Sequence, residues 1–412
     1  MTIDTREELI IALHEACELE HGLLVQYLYA GFSMKKHQAE GLTAEQQRLA
    51  RRWQRELFEI AREEMGHFAI ACNLLAAIGA PAKLHRPSMP RSTDLYPFPF
   101  DLLPFSDEAL HRFLVFELPR GFPPPPPPGS DLGSDKSARR FSFEIASVAP
   151  DPLEYDLVGE LYEKIAQGFS SIDEKELFLG PVEAQTENDW SDRTLDIRVV
   201  TDRASALAAI EEIIKDGEGT PQNRQTSHYA RFARARQEFF ENGRFAAARP
   251  VAQNPATLQD PSTSGTSTMI QNSETLALAQ IFNAAYGVML LMLLHYFSLA
   301  PASTDPTQSL RRKVLQEASQ RIMSVAIRPL AEELTMLPIG DENDPARAGP
   351  PFEIYSGVSL SPYHSARWSI LIERLDSIVA ECRGYSGSFR RVGEIGETLA
   401  IMRSDIAKVR VR

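Results

Sequence analysis

The chain has 412 residues, of which 43% are apolar and 24% are charged, with 56 Asp and Glu against 43 Lys and Arg. This apolar fraction is typical of a folded globular protein and excludes a disordered chain. The net charge of −13 argues against binding to nucleic acid, which depends on Lys and Arg neutralising phosphates, and against docking on an anionic membrane surface. Three Cys without paired spacing exclude a disulfide scaffold and a thiolate zinc site. We therefore expect a cytoplasmic protein that binds neither nucleic acid nor membrane.

The first two predicted elements are long helices, and each begins with a capping signal. Thr5 can cap a helix whose apolar residues recur at helical spacing as far as Tyr27. Thr43 and Gln46 form a capping-box pattern at the start of the second helix. The sequence Gly-Ala-Pro at 79–81 ends that helix, because a Gly C-cap followed by Pro stops helical structure.

A long insertion follows, predicted at about 82–150, with dense Pro and clustered aromatic residues. Six consecutive prolines at 123–128 predict a short polyproline II rod. We expect a rigid surface loop, and docking to an SH3-like groove is the alternative. Because long insertions are often functional, the segment is also a candidate lid over the mouth of the helical domain.

Helical patterns resume at about 153–168, 203–216 and 228–242, and then at 273–299, 308–336 and 362–384. A Pro/Ser/Thr-rich stretch at 246–272 separates the two groups and predicts a linker or long loop. The most hydrophobic segment, Leu276 to Phe297, contains an uninterrupted apolar run of only about half the length that a bilayer crossing needs. It predicts a buried helix in a mainly α-helical protein.

Two of the predicted helices carry acidic residues within their apolar stripes. Glu20 has apolar neighbours at offsets of three, four and seven residues, and so does Glu64. A carboxylate in a core must be paired, protonated or bound to a cation. Glu64 and His67 also form a Glu-x-x-His pattern, which in di-iron carboxylate bundles places both ligands on one helix face.

The second half of the first helical group gives a looser signal. Glu160 lies at the edge of an apolar stripe, and Glu218 extends another stripe only if the helix continues through Gly217. His228 comes ten residues after Glu218, which is not Glu-x-x-His spacing. Spacing alone therefore favours a surface Glu160, a loop Glu218 and a His228 at the edge of the core.

Four segments, in this order, resemble the ferritin-like domain of the iminophenyl-pyruvate dimer synthase family: ELEHGLLVQYLYA, EIAREEMGHFAIACNLLAAIGA, GELYEKI and DGEGTPQNRQTSHYARF. The later segments FNAAYGVMLLMLL, RPLAEELTMLP and AGPPFEIY are similar to the C-terminal part of this family, so the resemblance covers most of the chain. This family is associated with bisindole biosynthesis.

The resemblance implies a dinuclear site, with Fe as the expected metal and Mn as the alternative. It proposes as metal ligands Glu20, Glu64, His67, Glu160, Glu218 and His228. The chain departs from a second Glu-x-x-His, so the segment after Gly217 would have to bend to bring His228 beside Glu218; Glu211 is the reserve ligand. No catalytic residue beyond the ligands follows from the sequence.

The predicted fold is therefore mainly α, a ferritin-like four-helix bundle with a long Pro/aromatic-rich insertion and additional C-terminal helices. We expect the bundle at 1–245, the linker or loop at 246–272 and a helical C-terminal region at 273–412 that packs on the bundle or forms a homodimer contact. Tyr27, Tyr29 and Phe68 could line a substrate pocket, or they could be core residues.

The resemblance implies an oxidoreductase that uses O2 on a small organic substrate, such as an amino-acid-derived imine in specialised metabolism. One alternative is an iron-binding, ferroxidase-type protein without an organic substrate. Another is a non-catalytic scaffold of a biosynthetic complex. Metal content separates the scaffold from the other two, and substrate-dependent O2 consumption separates the oxidoreductase from iron handling.

Overall fold

The computed structural model describes residues 3–91, 98–130, 158–187, 197–217, 225–259, 267–299, 306–355 and 359–410. Helices make up nearly all of the regular structure in these ranges. In chain order they are α1 (Arg6–Ser33), α2 (Ala44–Ala77), α3 (Asp107–Phe116), α4 (Val158–Ser171), α5 (Glu174–Leu177), α6 (Arg203–Gly217), α7 (His228–Glu241), α8 (Ser273–Ser298), α9 (Pro306–Ile322), α10 (Arg328–Leu334), α11 (His364–Gly384) and α12 (Arg390–Arg410). A π-helical segment, Met323–Ile327, joins α9 to α10, and two short parallel strands, β1 (Pro255–Ala256) and β2 (Thr268–Met269), precede α8.

Helices α1, α2, α4 and α6 form a four-helix bundle. Helix α1 packs along α2 and α4 packs along α6, while contacts of α1 with α4 and of α2 with α6 close the ring. Both predicted starts are confirmed: Thr5 forms a capping box with Glu8, and Thr43 forms one with Gln46. The two capped helices are the longest of the described part, and they supply one side of the bundle.

The insertion contains a helix that the sequence analysis did not predict. Ser106 caps α3, which packs against α7 beside the bundle. The proline run that follows is fastened to the protein, because the buried Arg236 of α7 donates hydrogen bonds to the carbonyl oxygens of Pro126 and Pro127 at 2.7 and 3.2 Å. Such anchoring agrees with a rigid surface loop.

The C-terminal helices pack around α8, which contacts α9, α10 and α11; α12 pairs with α11 and α9. Helix α8 is long and apolar enough to span a membrane, yet 72% of its most apolar stretch is buried within the protein, as is typical of a core helix. The prediction of a buried helix is confirmed, whereas α12 was not predicted. A contact between α1 and α10 joins the two groups of helices.

The segment after α7 runs along the bundle. Ala248 bridges to Met34 at the end of α1, and Val251 bridges to Arg347. The buried Arg249 pairs with Glu40 at 2.6 Å. The predicted boundaries of the linker and of the two helical regions stay a prediction.

Candidate metal centre

Three of the predicted ligands lie together inside the bundle. Glu20 of α1 and Glu64 and His67 of α2 have no more than 3% of their surface exposed. The His67 Nδ1 atom lies 2.9 Å from Glu64 Oε2 and 3.9 Å from Glu20 Oε2. The apolar stripes that surround these residues in the sequence are thus the inner faces of α1 and α2.

His228, the first residue of α7, completes a cluster with Glu64 and His67. One potential ligand atom from each of the three lies within 4.8 Å of the others. The His228 Nδ1 atom is 2.8 Å from Glu64 Oε1. Because α7 begins at His228, the partial positive charge of the helix N-terminus also faces these carboxylates.

The structure adds a carboxylate that the sequence analysis missed. Glu117 follows α3 directly and is 3% exposed, and its Oε1 atom lies 3.7 Å from His228 Nδ1. Tyr27 donates a hydrogen bond to the same oxygen at 2.6 Å. Glu117 also approaches α6 closely: a Cβ atom on Gly217 would lie 2.9 Å from Glu117 Oε2, so a larger residue there would displace this carboxylate.

The cluster has two similar halves related through Glu64. Each oxygen of Glu64 faces the Nδ1 atom of a different imidazole, His67 or His228. Each imidazole has a further carboxylate beyond it, Glu20 in one half and Glu117 in the other. Each outer carboxylate accepts a tyrosine hydroxyl hydrogen bond, from Tyr162 at 2.7 Å in the first half and from Tyr27 in the second.

Two further carboxylates, Glu63 and Asp216, face the second ring nitrogens of the two histidines. His228 Nε2 lies 3.0 Å from Glu63 Oε2, and His67 Nε2 lies 3.6 Å from Asp216 Oδ2. Arg231 of α7 binds Glu63 in turn and holds it in place. Metal-binding histidines almost always donate their second ring N–H to a carboxylate, a backbone carbonyl or a water, which fixes the tautomer with the first nitrogen available to coordinate.

The pKa values of the acidic residues in the cluster shift in opposite directions. Burial and the nearby Glu64 charge raise the pKa of Glu20 well above its ordinary value and also raise the pKa of Glu117. Burial disfavours ionised Glu64 too, but His67 and His228 outweigh it and hold its pKa well below the ordinary value. The same attraction overcomes burial of the imidazoles and raises the pKa of His67 to about 10 and that of His228 well above its usual range.

The donor set fits a cation. Two buried atoms of the cluster that face its centre have no hydrogen-bond partner: Glu20 Oε2 and His228 Nδ1. His228 Nδ1 lies close to Glu64 Oε1 without hydrogen-bonding geometry, as two ligand atoms directed at one ion would lie. Carboxylate oxygens with imidazole nitrogens suit Fe and Mn.

A family model described as ferritin-like matches residues 13–237, more than half of the chain and the part that carries the cluster. The chain belongs to the ferritin-like family. Dichlorochromopyrrolate synthase of Lentzea aerocolonigenes is 27% identical to it, over 98% of this chain and 40% of that protein. The 2-imino-3-(indol-3-yl)propanoate dimerase of Chromobacterium violaceum is 28% identical, over 85% of this chain and 34% of that protein.

These matches confirm the resemblance that the sequence motifs indicated. The ferritin-like chain spans less than half the length of both curated relatives. A solved ferritin-like protein from Caulobacter vibrioides covers 77% of this chain and 96% of its own at 17% identity, with a TM-score of 0.47. The predicted fold, a ferritin-like four-helix bundle with an insertion and additional C-terminal helices, is confirmed by the family match and the helix packing.

Among the remaining predicted ligands, the structure does not bring Glu160 to the cluster. Glu160 is half-buried on α4, and in the described part of the chain no hydrogen bond or ion pair connects it to the cluster. Tyr162, two residues further on, faces Glu20, and residues two apart on a helix point in different directions. Glu218 lies outside the described residues. The reserve ligand Glu211 is exposed on α6, whereas Asp216 of the same helix approaches His67.

A sequence signal for Glu117 was present. Ser106 followed by Asp107 and Glu108 is a helix start, and apolar residues at helical spacing follow as far as Phe113. The surrounding prolines and aromatic residues obscured this pattern. That Glu117 joins the cluster could not be read from the sequence, because its partner Tyr27 lies 90 residues away.

Proposed function

We propose that this ferritin-like chain is a metal-dependent oxidoreductase that uses O2 on a small organic substrate, with an amino-acid-derived imine as the expected class. The observation that carries the proposal is the buried two-fold arrangement in which Glu64 faces two imidazoles and each imidazole has a second carboxylate. The names of the two relatives, a synthase and a dimerase, support an oxidative role in specialised metabolism. We place this activity in the cytoplasm.

The residues that would hold the metal are Glu20, Glu64, Glu117, His67 and His228. Iron or manganese bound there would supply redox chemistry with O2. Glu64 suits a bridging role, because its two oxygens face different imidazoles. Carboxylates that bridge two metals about 3.5–4 Å apart are typical of dinuclear catalytic sites.

Other side chains hold these groups in place. With a cation at His228 Nδ1, Glu63 would accept a hydrogen bond from the proton that remains on Nε2. Tyr162 and Tyr27 orient the two outer carboxylates. Around Tyr27, the rings of Phe113 and Phe232, with centroids 4.7 and 5.0 Å away, exclude water from the Glu117 half.

The test is metal analysis of protein purified without added metal or chelator, and again after anaerobic loading with Fe(II). We expect about two Fe or Mn ions per chain in the wild type. Both ions should be lost in Glu64→Ala, and the content should fall in His67→Ala and His228→Ala. Glu163→Ala is the matched control, because Glu163 is an exposed carboxylate of α4 that pairs with Arg120.

O2 uptake is then measured in the loaded protein with and without freshly generated imines of aromatic and aliphatic amino acids. Uptake that depends on an imine and disappears in Glu64→Ala supports the oxidoreductase. Uptake driven by Fe(II) alone would favour a ferroxidase instead. A wild-type protein that retains no metal after loading would refute both functions.

A further inference from the structure

A cavity of about 390 Å³ lies between the α1–α2 pair and α8. Its walls include His21, Met65 and Phe68, each of which directly follows a residue of the metal cluster in the sequence. Consecutive helix residues point in different directions, so the cavity and the cluster lie on different faces of the same two helices. The volume lies within the range of about 300–1,000 Å³ that is usual for small-molecule sites.

The walls of the cavity are apolar and rich in aromatic rings. Six aromatic side chains line it: Phe32, Phe58, Phe68, Tyr286, Phe297 and Phe352. Three methionines add adaptable thioether surface: Met65, Met289 and Met323. Aromatic rings interact well with other aromatic rings at offset or edge-on geometry, so these walls favour a flat aromatic body.

The charged side chains of the lining are cationic. Arg62 and Arg328 belong to it, and no Asp or Glu does, although the whole chain carries a net charge of −13. Arg328 lies over the Phe58 ring at 5.3 Å and pairs with Glu332. That one carboxylate is shared with Lys36 and Arg391, so a positive charge remains at this rim.

One wall of the cavity is formed by a π-helix, which is a rare element of secondary structure. The π-helical segment Met323–Ile327 contributes three lining residues, Met323, Ser324 and Ile327. Isolated π-turns within α-helices are rare and frequently occur at functional sites. Ser324 and Arg328 are exposed here, and Phe58 and Met65 are partly exposed opposite them, so these residues form a mouth.

We propose that this cavity binds a small aromatic organic anion, with its ring between the phenylalanines and its charge at Arg62 and Arg328. The guanidinium groups can form charge-assisted hydrogen bonds with a carboxylate at the mouth. The site does not depend on the proposed metal chemistry, because its walls contain none of the residues of the metal cluster.

Calorimetric titration of the full chain with three probes tests this assignment. The probes are 2-naphthoate, the uncharged 2-naphthalenemethanol and the aliphatic anion octanoate. We expect 2-naphthoate to bind at least about tenfold more tightly than the alcohol, because the charge-assisted hydrogen bonds are lost with the carboxylate. Octanoate should also bind more weakly, because it lacks the ring.

Variants then locate the binding. Arg328→Gln and Arg62→Gln should each weaken 2-naphthoate about tenfold and leave the alcohol unchanged. Arg321→Gln is the matched control, since this exposed arginine on α9 is not part of the lining. Ala69→Trp fills the cavity and should abolish binding. Ser324→Trp covers the mouth from an exposed position, and so keeps the test valid if the first variant does not fold.

Four outcomes would overturn the proposal. Equal affinity for 2-naphthoate and the alcohol would show that the cavity does not recognise a negative charge. Octanoate binding as tightly as 2-naphthoate would show that it does not recognise an aromatic ring. Absence of binding for all probes, or unchanged binding in both tryptophan variants, would show that the cavity is not a binding site for these anions. Repeating the titration with Glu64→Ala separates this site from the metal cluster, because 2-naphthoate should bind that variant unchanged.

Discussion

The two faces of the α1–α2 pair differ in almost every chemical property. One face holds Glu20, Glu64 and His67, which need opposite charges to be buried at all. The other face carries His21 and Phe68, stacked at 5.2 Å against an apolar cavity. Adjacent residues in the sequence therefore face environments of opposite polarity.

The imidazoles show the contrast most directly. Burial, together with the positive charge of Arg86, lowers the pKa of His21 well below its ordinary value on the cavity face. On the cluster face the carboxylates outweigh burial and raise the pKa of His67 to about 10. What determines the charge of a buried histidine is thus the set of groups around it, since both are almost fully buried.

The largest expected effect comes from substituting two adjacent residues, Phe68 on the cavity face and His67 on the cluster face, one at a time. Phe68→Ala should lower the free energy of unfolding by about 3 kcal/mol, because a buried ring is replaced by empty space, and metal binding should persist. His67→Ala should instead lose metal. Urea unfolding and metal analysis on both variants check this, and loss of metal in folded Phe68→Ala would show that the two faces are not independent.

The next largest effect is the pH dependence of stability that His295 produces; this residue lies on α8, the helix that covers the cavity face. Burial, with a contribution from Arg367, lowers the pKa of His295 to about 3 in the folded protein, against about 6.5 in an unfolded chain. The stability contributed by neutral His295 is complete above pH 6.5 and is lost as the pH falls towards 3. At pH 5 the loss amounts to about 2 kcal/mol.

Urea unfolding between pH 7 and pH 5 measures this loss. His295→Leu should flatten the pH dependence by about the same amount. His37→Ala, at an exposed position, is the control and should keep the wild-type slope. An unchanged slope in His295→Leu would show that other groups set the acid limit.

The smallest effect compares the two halves of the cluster. Tyr162→Phe and Tyr27→Phe each remove a hydrogen bond to a buried carboxylate and should each cost about 1.5 kcal/mol in metal-free protein. Loss of such an orienting partner should also weaken metal binding by about tenfold. Tyr29→Phe is the matched control, because its hydroxyl donates to the carbonyl oxygen of Ala252 and should cost less. Unequal losses in the first two variants would show that the halves differ.

Much of the bundle could be predicted from the sequence because its signals are local. The capping boxes at Thr5 and Thr43, and the carboxylates in apolar stripes at Glu20 and Glu64, require only neighbouring residues to interpret. The approach of His228 to Glu64 was implied by the family resemblance but not by spacing. It depends on where α7 packs, which is a matter of tertiary structure.

Glu117 and the cavity could not be predicted for the same reason. Glu117 enters the cluster from an insertion, and its partners Tyr27 and His228 belong to distant helices. The cavity is formed by α1, α2, α8 and the π-helical segment together. A sequence pattern shows which side of a helix is apolar, but not whether the space beside that side is filled.

The π-helical segment Met323–Ile327 has a consequence for how the length of this chain can change. A π-turn accommodates one more residue than an α-turn, so deleting a single residue there would give the segment α-helical spacing as far as Pro329, which has no backbone N–H to continue the hydrogen bonds. Everything beyond the deletion would rotate by roughly 100° about the helix axis. Arg328 would then leave the Phe58 ring, and the mouth of the cavity would lose one of its two cations without any change in residue type. In proteins related to this chain, a one-residue gap at this position would therefore mark a change in what the cavity accepts.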